Sequence, residues 1–345
     1  MKNYAYVKVY ESIRDQIVHG AYPLRSCLHS KRVLAKEYHV SKITVEHALD
    51  LLVEEGYILP QERVGYRVIY KEESVFPVSS INVDNTPAER NESSYFPYSV
   101  YAKTVRQVLS CYQEKVLSAS PMQGNLELRT AIKNYLARSR NIFVQEDQIV
   151  IGAGSESFYP RIVELFGRSV VYGIESPGYE KVEKVYLKQG VRIDRLQLGN
   201  QGILQTELHR TPSKVLHVTP FSSYPTNISA SAFKRQEYLD WAARTDGILI
   251  EDDYASEFLP SAHVLKTLFS EDSEGRVIYM NSFHKTISPS IRVSYMVLPA
   301  NKVQKYMDIW KYHSAQVSTL DQLVIADLLD SGNFERNLNR LRKKK

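Results

Sequence analysis

The chain has 345 residues, of which 43% are hydrophobic and 24% are charged, so it is long enough for about two globular domains with sizeable cores. The formal net charge of +5 is too small to identify a nucleic-acid partner. Cys27 and Cys111 form neither a metal-ligand spacing nor a disulfide framework, which favours a reducing cytoplasm. The N-terminus lacks the apolar core of a signal peptide, and no apolar run approaches the ~20 residues that span a bilayer.

The first seventy residues predict three short helices followed by two short strands. Apolar side chains recur at helical spacing over residues 4–19, and Gly20 and Pro23 end that helix. Ser30 and Ser41 are each placed to cap a following helix, and Gly56 ends the third one. Two strands then flank the polar tip formed by residues 61–65.

This order of elements is typical of a winged helix-turn-helix, in which the third helix enters the DNA major groove by its N-terminal end. A small helical dimerisation module with solvated basic groups is the alternative, but it leaves the hairpin unexplained. The residues expected at the DNA are those on the exposed start of the second and third helices and on the wing. They are Arg32, Ser41, Lys42, Thr44, Arg63 and Gly65.

Residues 7–70 resemble the DNA-binding domain of GntR-family repressors. The resemblance rests on the stretch from Leu28 to Tyr57, which follows that family's pattern almost throughout. It implies a DNA-binding domain over residues 1–72 and a double-stranded DNA operator as partner. Residues 73–95 are polar, lack a sustained period and predict a linker.

Beyond residue 96 helices and strands alternate, which predicts an α/β domain with a mainly parallel sheet over residues 96–345. Ligands of such sheets lie beyond the carboxyl ends of the strands. Helices are expected near 98–117, 125–139, 155–166, 178–189 and 231–245 and from 300 onward. Strands are expected near 148–151, 169–173, 191–195, 214–218, 247–251, 276–281 and 292–298.

The most informative stretch is residues 281–295, where Lys285 lies among small hydroxyl residues and Arg292 follows. An acidic and aromatic cluster at 250–254 ends an apolar strand upstream. Together they predict a pocket for pyridoxal 5'-phosphate (PLP). Lys285 would form the Schiff base, and a carboxylate would keep the pyridine nitrogen protonated. Ser282 and Arg292 would hold the dianionic phosphate.

Two further turns follow predicted strands. The first, Gly152 to Ser157, opens a helix, and its backbone N–H groups can cradle a phosphate at Gly154, Ser155 and Glu156. In the second, Tyr179 can stack on a cofactor ring, although a tyrosine among 24 is more often part of ordinary packing.

This series of motifs is similar to the aminotransferase-type domain of fold-type I PLP proteins, and with its GntR-like head the chain resembles the MocR subfamily of regulators. The resemblance implies that Asp252 pairs with the pyridine nitrogen, that Tyr254 bonds the ring hydroxyl and that the protein is a homodimer. Asp253 competes with Asp252 as the ring partner. The chain ends soon after the helix that usually enters a C-terminal small domain, whose arginine clamps an amino-acid carboxylate in that family. We therefore expect that small domain to be missing.

The leading hypothesis is a cytoplasmic DNA-binding transcriptional regulator that senses PLP, or PLP with an amine or amino-acid effector, without using its aminotransferase-like domain as an enzyme. Two alternatives stay open. One is a working aminotransferase with an accessory DNA-binding domain. The other is a repressor whose aminotransferase-like domain has lost PLP and only dimerises.

Overall fold

The computed structural model describes residues 5–61, 65–70, 96–254, 256–258 and 266–342. The chain divides into two compact units, Met1–Thr86 and Pro87–Lys345. Each unit has its own hydrophobic core, as expected for a chain of this length.

The first unit has the predicted winged helix-turn-helix layout, with helices α1 (Ala5–Val18), α2 (Lys31–Glu37) and α3 (Lys42–Glu54). Strands β1 (Ile58–Gln61) and β2 (Gly65–Val68) form an antiparallel hairpin in which Ile58 lies opposite Val68. The inward faces of the three helices and the hairpin share one core. Its buried members are Val9, Ile13, Ile17, Leu28, Leu34, Val45, Ala48, Leu49, Leu52, Ile58 and Val68.

The helix starts in this unit are set by two serines, as predicted. The Ser30 hydroxyl accepts a hydrogen bond from the Val33 N–H, and the Ser41 hydroxyl accepts one from the Thr44 N–H at 3.1 Å. Each bond satisfies an N–H group that has no partner within its own helix. Ser41 therefore fixes where α3 begins, and with it which side chains stand at the exposed helix start.

The second unit contains an eight-stranded sheet in the order β3-β10-β9-β8-β7-β4-β5-β6. Neighbours from β9 to β5 run parallel, whereas β10 is antiparallel to both β3 and β9, and β6 is antiparallel to β5. The strands are β3 (Ile149–Gly152), β4 (Val171–Ser176), β5 (Arg192–Gly199), β6 (Gly202–Ile203), β7 (Val215–Val218), β8 (Ile248–Asp253), β9 (Val277–Ser282) and β10 (Ser294–Val297). This is the predicted α/β class with a mainly parallel sheet.

Helices cover both faces of the sheet. They are α4 (Tyr98–Tyr112), α5 (Leu126–Arg140), α6 (Phe158–Phe166), α7 (Glu180–Lys188), α8 (Gln205–Arg210), α9 (Ala232–Thr245), α10 (Leu268–Glu271), α11 (Val303–Trp310), α12 (Thr319–Asp330) and α13 (Asn333–Arg342). The strand residues alternate between the faces: Ile149 and Ile151 pack with α5 and α12, whereas Val150 packs with α6 and α11. The predicted elements were right, but β6 and the short helices α8 and α10 were missed.

A buried ion network ties α5 to the segment after β8. The Arg140 guanidinium lies 3.0 Å from Glu257 Oε1 and 3.6 Å from Asp253 Oδ2, and it donates to the Ser256 hydroxyl at 2.6 Å. Asp253 also accepts a hydrogen bond from the Tyr279 hydroxyl at 2.8 Å. Buried charges are tolerated only when they are paired and hydrogen-bonded. This network therefore holds the carboxyl end of β8 in place.

Glu251 is a second buried carboxyl group on β8. It accepts hydrogen bonds from the N–H groups of Leu268 and Phe269 at 2.9 and 3.0 Å, at the start of α10. Burial raises its pKa to about 8. The folded state thus holds this proton up to a higher pH than the unfolded chain does.

We expect the free energy of unfolding to fall as the pH rises from 5 to 8, because the Glu251 pKa is raised in the folded state. Relative to Glu251→Gln, the wild type should lose about 3–4 kcal/mol over this range. Urea unfolding at three pH values measures the difference, with Glu271→Gln on the exposed face of α10 as control. A difference that is constant with pH would contradict this assignment.

Candidate functional site

A cavity of about 370 Å³ lies at the carboxyl ends of the parallel strands of the second unit. Its wall is formed by the segments that follow β3, β4, β7 and β9, by the end of β8 and by the segment before β10. This is where a parallel sheet places its ligand site. Eight residues predicted from the sequence to bind a cofactor line it: Gly154, Ser155, Glu156, Tyr179, Asp252, Tyr254, Lys285 and Arg292.

The lysine of the predicted site lies over an aromatic ring. Lys285 Nζ is 4.1 Å from the centroid of the Tyr254 ring, a cation–π distance. Lys285 follows β9 and Tyr254 follows β8, and these two strands are parallel neighbours. Adjacency in the sheet therefore brings together two residues that are 31 positions apart in the sequence. Burial raises the pKa of the Tyr254 hydroxyl.

Asp252 is the centre of a buried polar cluster in the cavity wall. Its Oδ2 accepts a hydrogen bond from the Tyr159 hydroxyl at 3.1 Å and lies 3.4 Å from His217 Nε2. His217 Nδ1 lies 3.1 Å from the Tyr186 hydroxyl. Among the described residues, Asp252 Oδ1 has no hydrogen-bond partner although it is buried. A buried acceptor of this kind is a position for a ligand's donor group.

Asp253, the competing candidate, is oriented differently. Both of its carboxylate oxygens accept bonds within the Arg140 network, from Ser256 and Tyr279. Asp253 is fully buried and is not among the residues that line the cavity. Successive residues on a strand point to opposite sides, so only one of the two aspartates can face the cavity.

Tyr159 and His217 belong to the site but were not singled out from the sequence. His217 lies on β7, between Leu216 and Val218, and is only 4% exposed. The sequence signal that could have identified His217 is its place inside an otherwise apolar strand, two residues before a polar turn. Burial, then the charge of Asp252, raises the pKa of Tyr159 well above its ordinary value, so this hydroxyl stays a donor.

The glycine turn after β3 lies against Arg292. Gly154 has φ +86°, a conformation that favours glycine, and a Cβ at this position would lie 2.9 Å from Arg292 Nη2. Arg292 Nη2 donates to Glu156 Oε1 at 2.7 Å, and Glu156 also contacts the Lys181 ammonium. The sequence reasoning missed Lys181, because it lies on α7 beyond the second turn.

Ser282 differs from the other predicted residues because it does not line the cavity. It is buried at the end of β9, and its hydroxyl is 2.7 Å from Nδ1 of His284, which does line the cavity. Burial, and then the charges of Lys285 and Arg292, lower the pKa of His284. Around neutral pH His284 is therefore an uncharged member of the wall.

Two tyrosines stand at the edge of the cavity. Tyr179 and Tyr224 make an edge-to-face contact with ring centroids 5.7 Å apart, and they are 48% and 54% exposed. Tyr179 thus places an aromatic ring in the cavity wall, and its stacking on a cofactor stays a prediction.

In the first unit, the predicted DNA contacts that the structure describes lie at the starts of α2, α3 and β2. Ser41, Lys42 and Arg32 are exposed, and Thr44 is partly buried because its hydroxyl bonds the Ser41 hydroxyl at 2.8 Å. Gly65 opens β2 with φ +112° and is exposed. Arg63 lies outside the described residues. Lys31 contacts Glu46 of α3 and lies over the Tyr66 ring, which connects the two helices to the wing.

Comparison with known proteins supports both units. The family described as bacterial regulatory proteins, gntR family, matches residues 5–68. The HTH-type transcriptional regulator YdeL of Bacillus subtilis is 30% identical over 98% of this chain and 76% of its own length. The rhizopine catabolism regulatory protein MocR of Rhizobium meliloti is 25% identical (97% and 74%), and the pyridoxine biosynthesis regulator PdxR of Corynebacterium glutamicum is 26% identical (96% and 74%).

Solved aminotransferases share the fold of the second unit. Kynurenine aminotransferase of Pyrococcus horikoshii, solved with PMP, superposes with a TM-score of 0.64 at 23% identity over 72% of this chain. The α-aminoadipate aminotransferase LysN of Thermus thermophilus gives 0.64 at 24% identity, also over 72% of this chain. The chain spans 64% of the length of each of these two enzymes.

A GntR-type DNA-binding head and an aminotransferase-like unit define a class of bacterial transcriptional regulator. The chain belongs to the MocR-type regulators of the GntR family. Its DNA-binding head implies double-stranded DNA as a partner. Within the described residues, each helix is too short or too polar to span a lipid bilayer.

Proposed function

We propose that this protein is a homodimeric transcriptional regulator that binds PLP in the cavity of its second unit and changes its affinity for operator DNA in response. The proposal divides the chain into a DNA-binding domain over residues 1–72, a linker over 73–95 and a sensor domain over 96–345. The observation that carries it is that three residues line a single cavity: a lysine, an arginine beside a glycine turn, and an aspartate with one carboxylate oxygen that has no partner among the described residues.

These residues fit PLP in charge and in hydrogen-bonding capacity. Asp252 Oδ1 is a buried acceptor with no partner among the described residues, and a protonated pyridine nitrogen supplies the one donor that it needs. Arg292 provides a planar guanidinium for the phosphate, with the backbone N–H groups of Gly154 and Ser155 beside it. Tyr254 would bond the ring hydroxyl, and Tyr179 would cover a ring face.

When bound, PLP supplies an aldehyde that combines with amines and a ring that withdraws electrons. The work of the protein is to hold that ring and its charges. Tyr159 keeps its proton, and its hydroxyl donates a hydrogen bond to Asp252 Oδ2. His217 Nδ1 lies 3.1 Å from the Tyr186 hydroxyl, and its Nε2 lies 3.4 Å from the same Asp252 oxygen. Lys285 provides the amine, and the adjoining Tyr254 ring holds it at the cavity wall.

Regulation requires that PLP bind two arrangements of the protein with different affinity. We propose that an amine or amino acid entering the cavity shifts this balance and that a dimer reads paired operator half-sites. The test uses the full chain and a duplex that this chain enriches from a random DNA pool. Its affinity should change by about 5-fold or more with PLP, a typical coupling between sites, and not with pyridoxine, which lacks both the aldehyde and the phosphate.

The same experiment separates the two alternatives. A visible absorption band with PLP and turnover of an amino donor, without an effect on DNA affinity, would favour an aminotransferase with an accessory head. DNA binding that ignores PLP, together with the absence of any band, would favour a regulator whose second unit only dimerises. Either result overturns the proposed coupling.

Lys42→Ala should weaken operator binding while PLP uptake stays unchanged. Lys42 is exposed at the start of α3, where a helix that enters the major groove meets bases and phosphates. We expect the affinity for DNA to fall about tenfold. The slope of log affinity against log salt concentration should become shallower by about one. Fluorescence anisotropy at three salt concentrations measures both, and Lys8→Ala on the exposed face of α1 is the control. Unchanged affinity at moderate salt would remove Lys42 from the interface.

A further inference from the structure

One end of the cavity is built from three charged side chains. Glu156 Oε1 accepts a hydrogen bond from Arg292 Nη2 at 2.7 Å, and Glu156 Oε2 contacts Lys181 Nζ. All three residues line the cavity, and their side chains are 35%, 51% and 45% exposed for Glu156, Arg292 and Lys181. A single carboxylate therefore bridges two cations that come from different elements of the fold.

The position of this cluster identifies it as the anion-binding end. Arg292 lies against the Gly154 turn, where a Cβ would meet its guanidinium, and the turn leads into the start of α6. Backbone N–H groups and a guanidinium at one place form a phosphate-type site. Lys181, which lies on α7, adds a second cation to this anion-binding end. The carboxylate of Glu156 accordingly lies where phosphate oxygens would otherwise bind both cations.

We infer that Glu156 is an internal counter-ion that competes with the phosphate of an incoming ligand for Arg292 and Lys181. The inference rests on the proposed PLP site and adds the regulation of its affinity. A phosphate monoester can bind only if Glu156 gives up part of its contact with the two cations, or if the two anions share them. Glu156 thus weakens the binding of phosphorylated ligands and makes their capture reversible, which suits a sensor.

Glu156 carries its full charge at neutral pH. The hydrogen bond from Lys181 lowers the pKa of Glu156. Burial opposes this effect, and the charges of Lys181 and Arg292 reinforce it. Glutamine at this position would keep the shape and one acceptor oxygen but would remove the negative charge. At the dielectric constant of water and physiological ionic strength, a unit charge about 5 Å from a phosphate dianion changes affinity by roughly fivefold to tenfold.

The test is a titration of full-length wild type and Glu156→Gln with PLP and with pyridoxal, which has the same aldehyde and ring but no phosphate. We expect Glu156→Gln to bind PLP about fivefold to tenfold more tightly and pyridoxal unchanged. Lys181→Ala should weaken PLP only. Glu180→Gln is the matched control, because Glu180 also lies at the start of α7 but pairs with Lys184 outside the cavity.

Equal or weaker PLP binding by Glu156→Gln would overturn the inference and would assign Glu156 to holding Arg292 in place. A second probe keeps this failure separate from failure of the PLP proposal. Inorganic phosphate should raise the Tm of Glu156→Gln more than that of wild type at matched ionic strength in sodium chloride. If PLP binds neither protein but this phosphate effect appears, the PLP proposal fails and the counter-ion stands. If the phosphate effect is also absent, both fail.

Discussion

Lys285→Ala is expected to abolish the covalent capture of PLP and to lower its affinity by about two orders of magnitude, or ~2.7 kcal/mol. Lys285 lines the same cavity as Asp252, and its Nζ lies 4.1 Å from the centroid of the Tyr254 ring, so its amine is placed to combine with the aldehyde. A lysine held close to its target reacts far faster than one on the surface. Borohydride reduction followed by peptide mass mapping locates the attachment site, and a visible absorption titration gives the affinity.

Lys181→Ala is the matched control for this experiment, because Lys181 also lines the cavity but contacts Glu156 at the anion-binding end. It should bind PLP more weakly and still show attachment at Lys285. Attachment that persists in Lys285→Ala would show that another amine does this work. If neither the wild type nor either variant shows a PLP band, the second unit has no PLP site.

Arg140→Ala is expected to destabilise the second unit by about 3–5 kcal/mol, the usual cost of removing one partner of a buried ion pair. The Arg140 side chain is 4% exposed and contacts both Glu257 and Asp253. Burial raises the pKa of Glu257, and the charge of Arg140 lowers it by less. The net result is a raised pKa. Without the guanidinium, two carboxylates would share one buried site with no cation among these contacts.

Urea unfolding followed by tryptophan fluorescence reports on this loss, because both tryptophans, Trp241 and Trp310, are buried in the second unit. Arg138→Ala is the matched control. Arg138 is two residues away on α5 and pairs with Glu335 at 2.8 Å, but its side chain is 53% exposed, so its loss should cost less than about 1 kcal/mol. Similar losses in the two variants would mean that burial does not set the energy of the Arg140 network.

Local patterns were sufficient to predict most helices and strands. The apolar period in α1 and the serine caps of α2 and α3 depend on neighbouring residues, so the winged helix-turn-helix was predictable from a single stretch. The alternating elements of the second unit were predictable for the same reason. The short elements β6, α8 and α10 were not, because pieces of two to six residues carry too little periodicity.

The candidate site was predictable where its residues end strands that the pattern had located. Lys285, Asp252 and Gly154 are of this kind, since parallel strands bring their carboxyl ends to one edge. Tyr159, Lys181 and His217 lie on helices or inside a strand, and their approach to the cavity depends on how those elements pack. Which of Asp252 and Asp253 points into the cavity likewise depends on the pleat of β8 within the folded sheet.

The sequence by itself determined the class of each unit, the order of its elements and the chemical types that meet at the strand ends, because these depend on local periodicity and capping. Only the tertiary structure decided which charges are joined: Glu156 to Arg292 and Lys181, Arg140 to Glu257 and Asp253, and Asp252 to Tyr159. The physical reason is that Coulombic and hydrogen-bond contacts act over a few ångströms in space. Residues more than a hundred positions apart in the chain become neighbours only when the sheet and its helices pack.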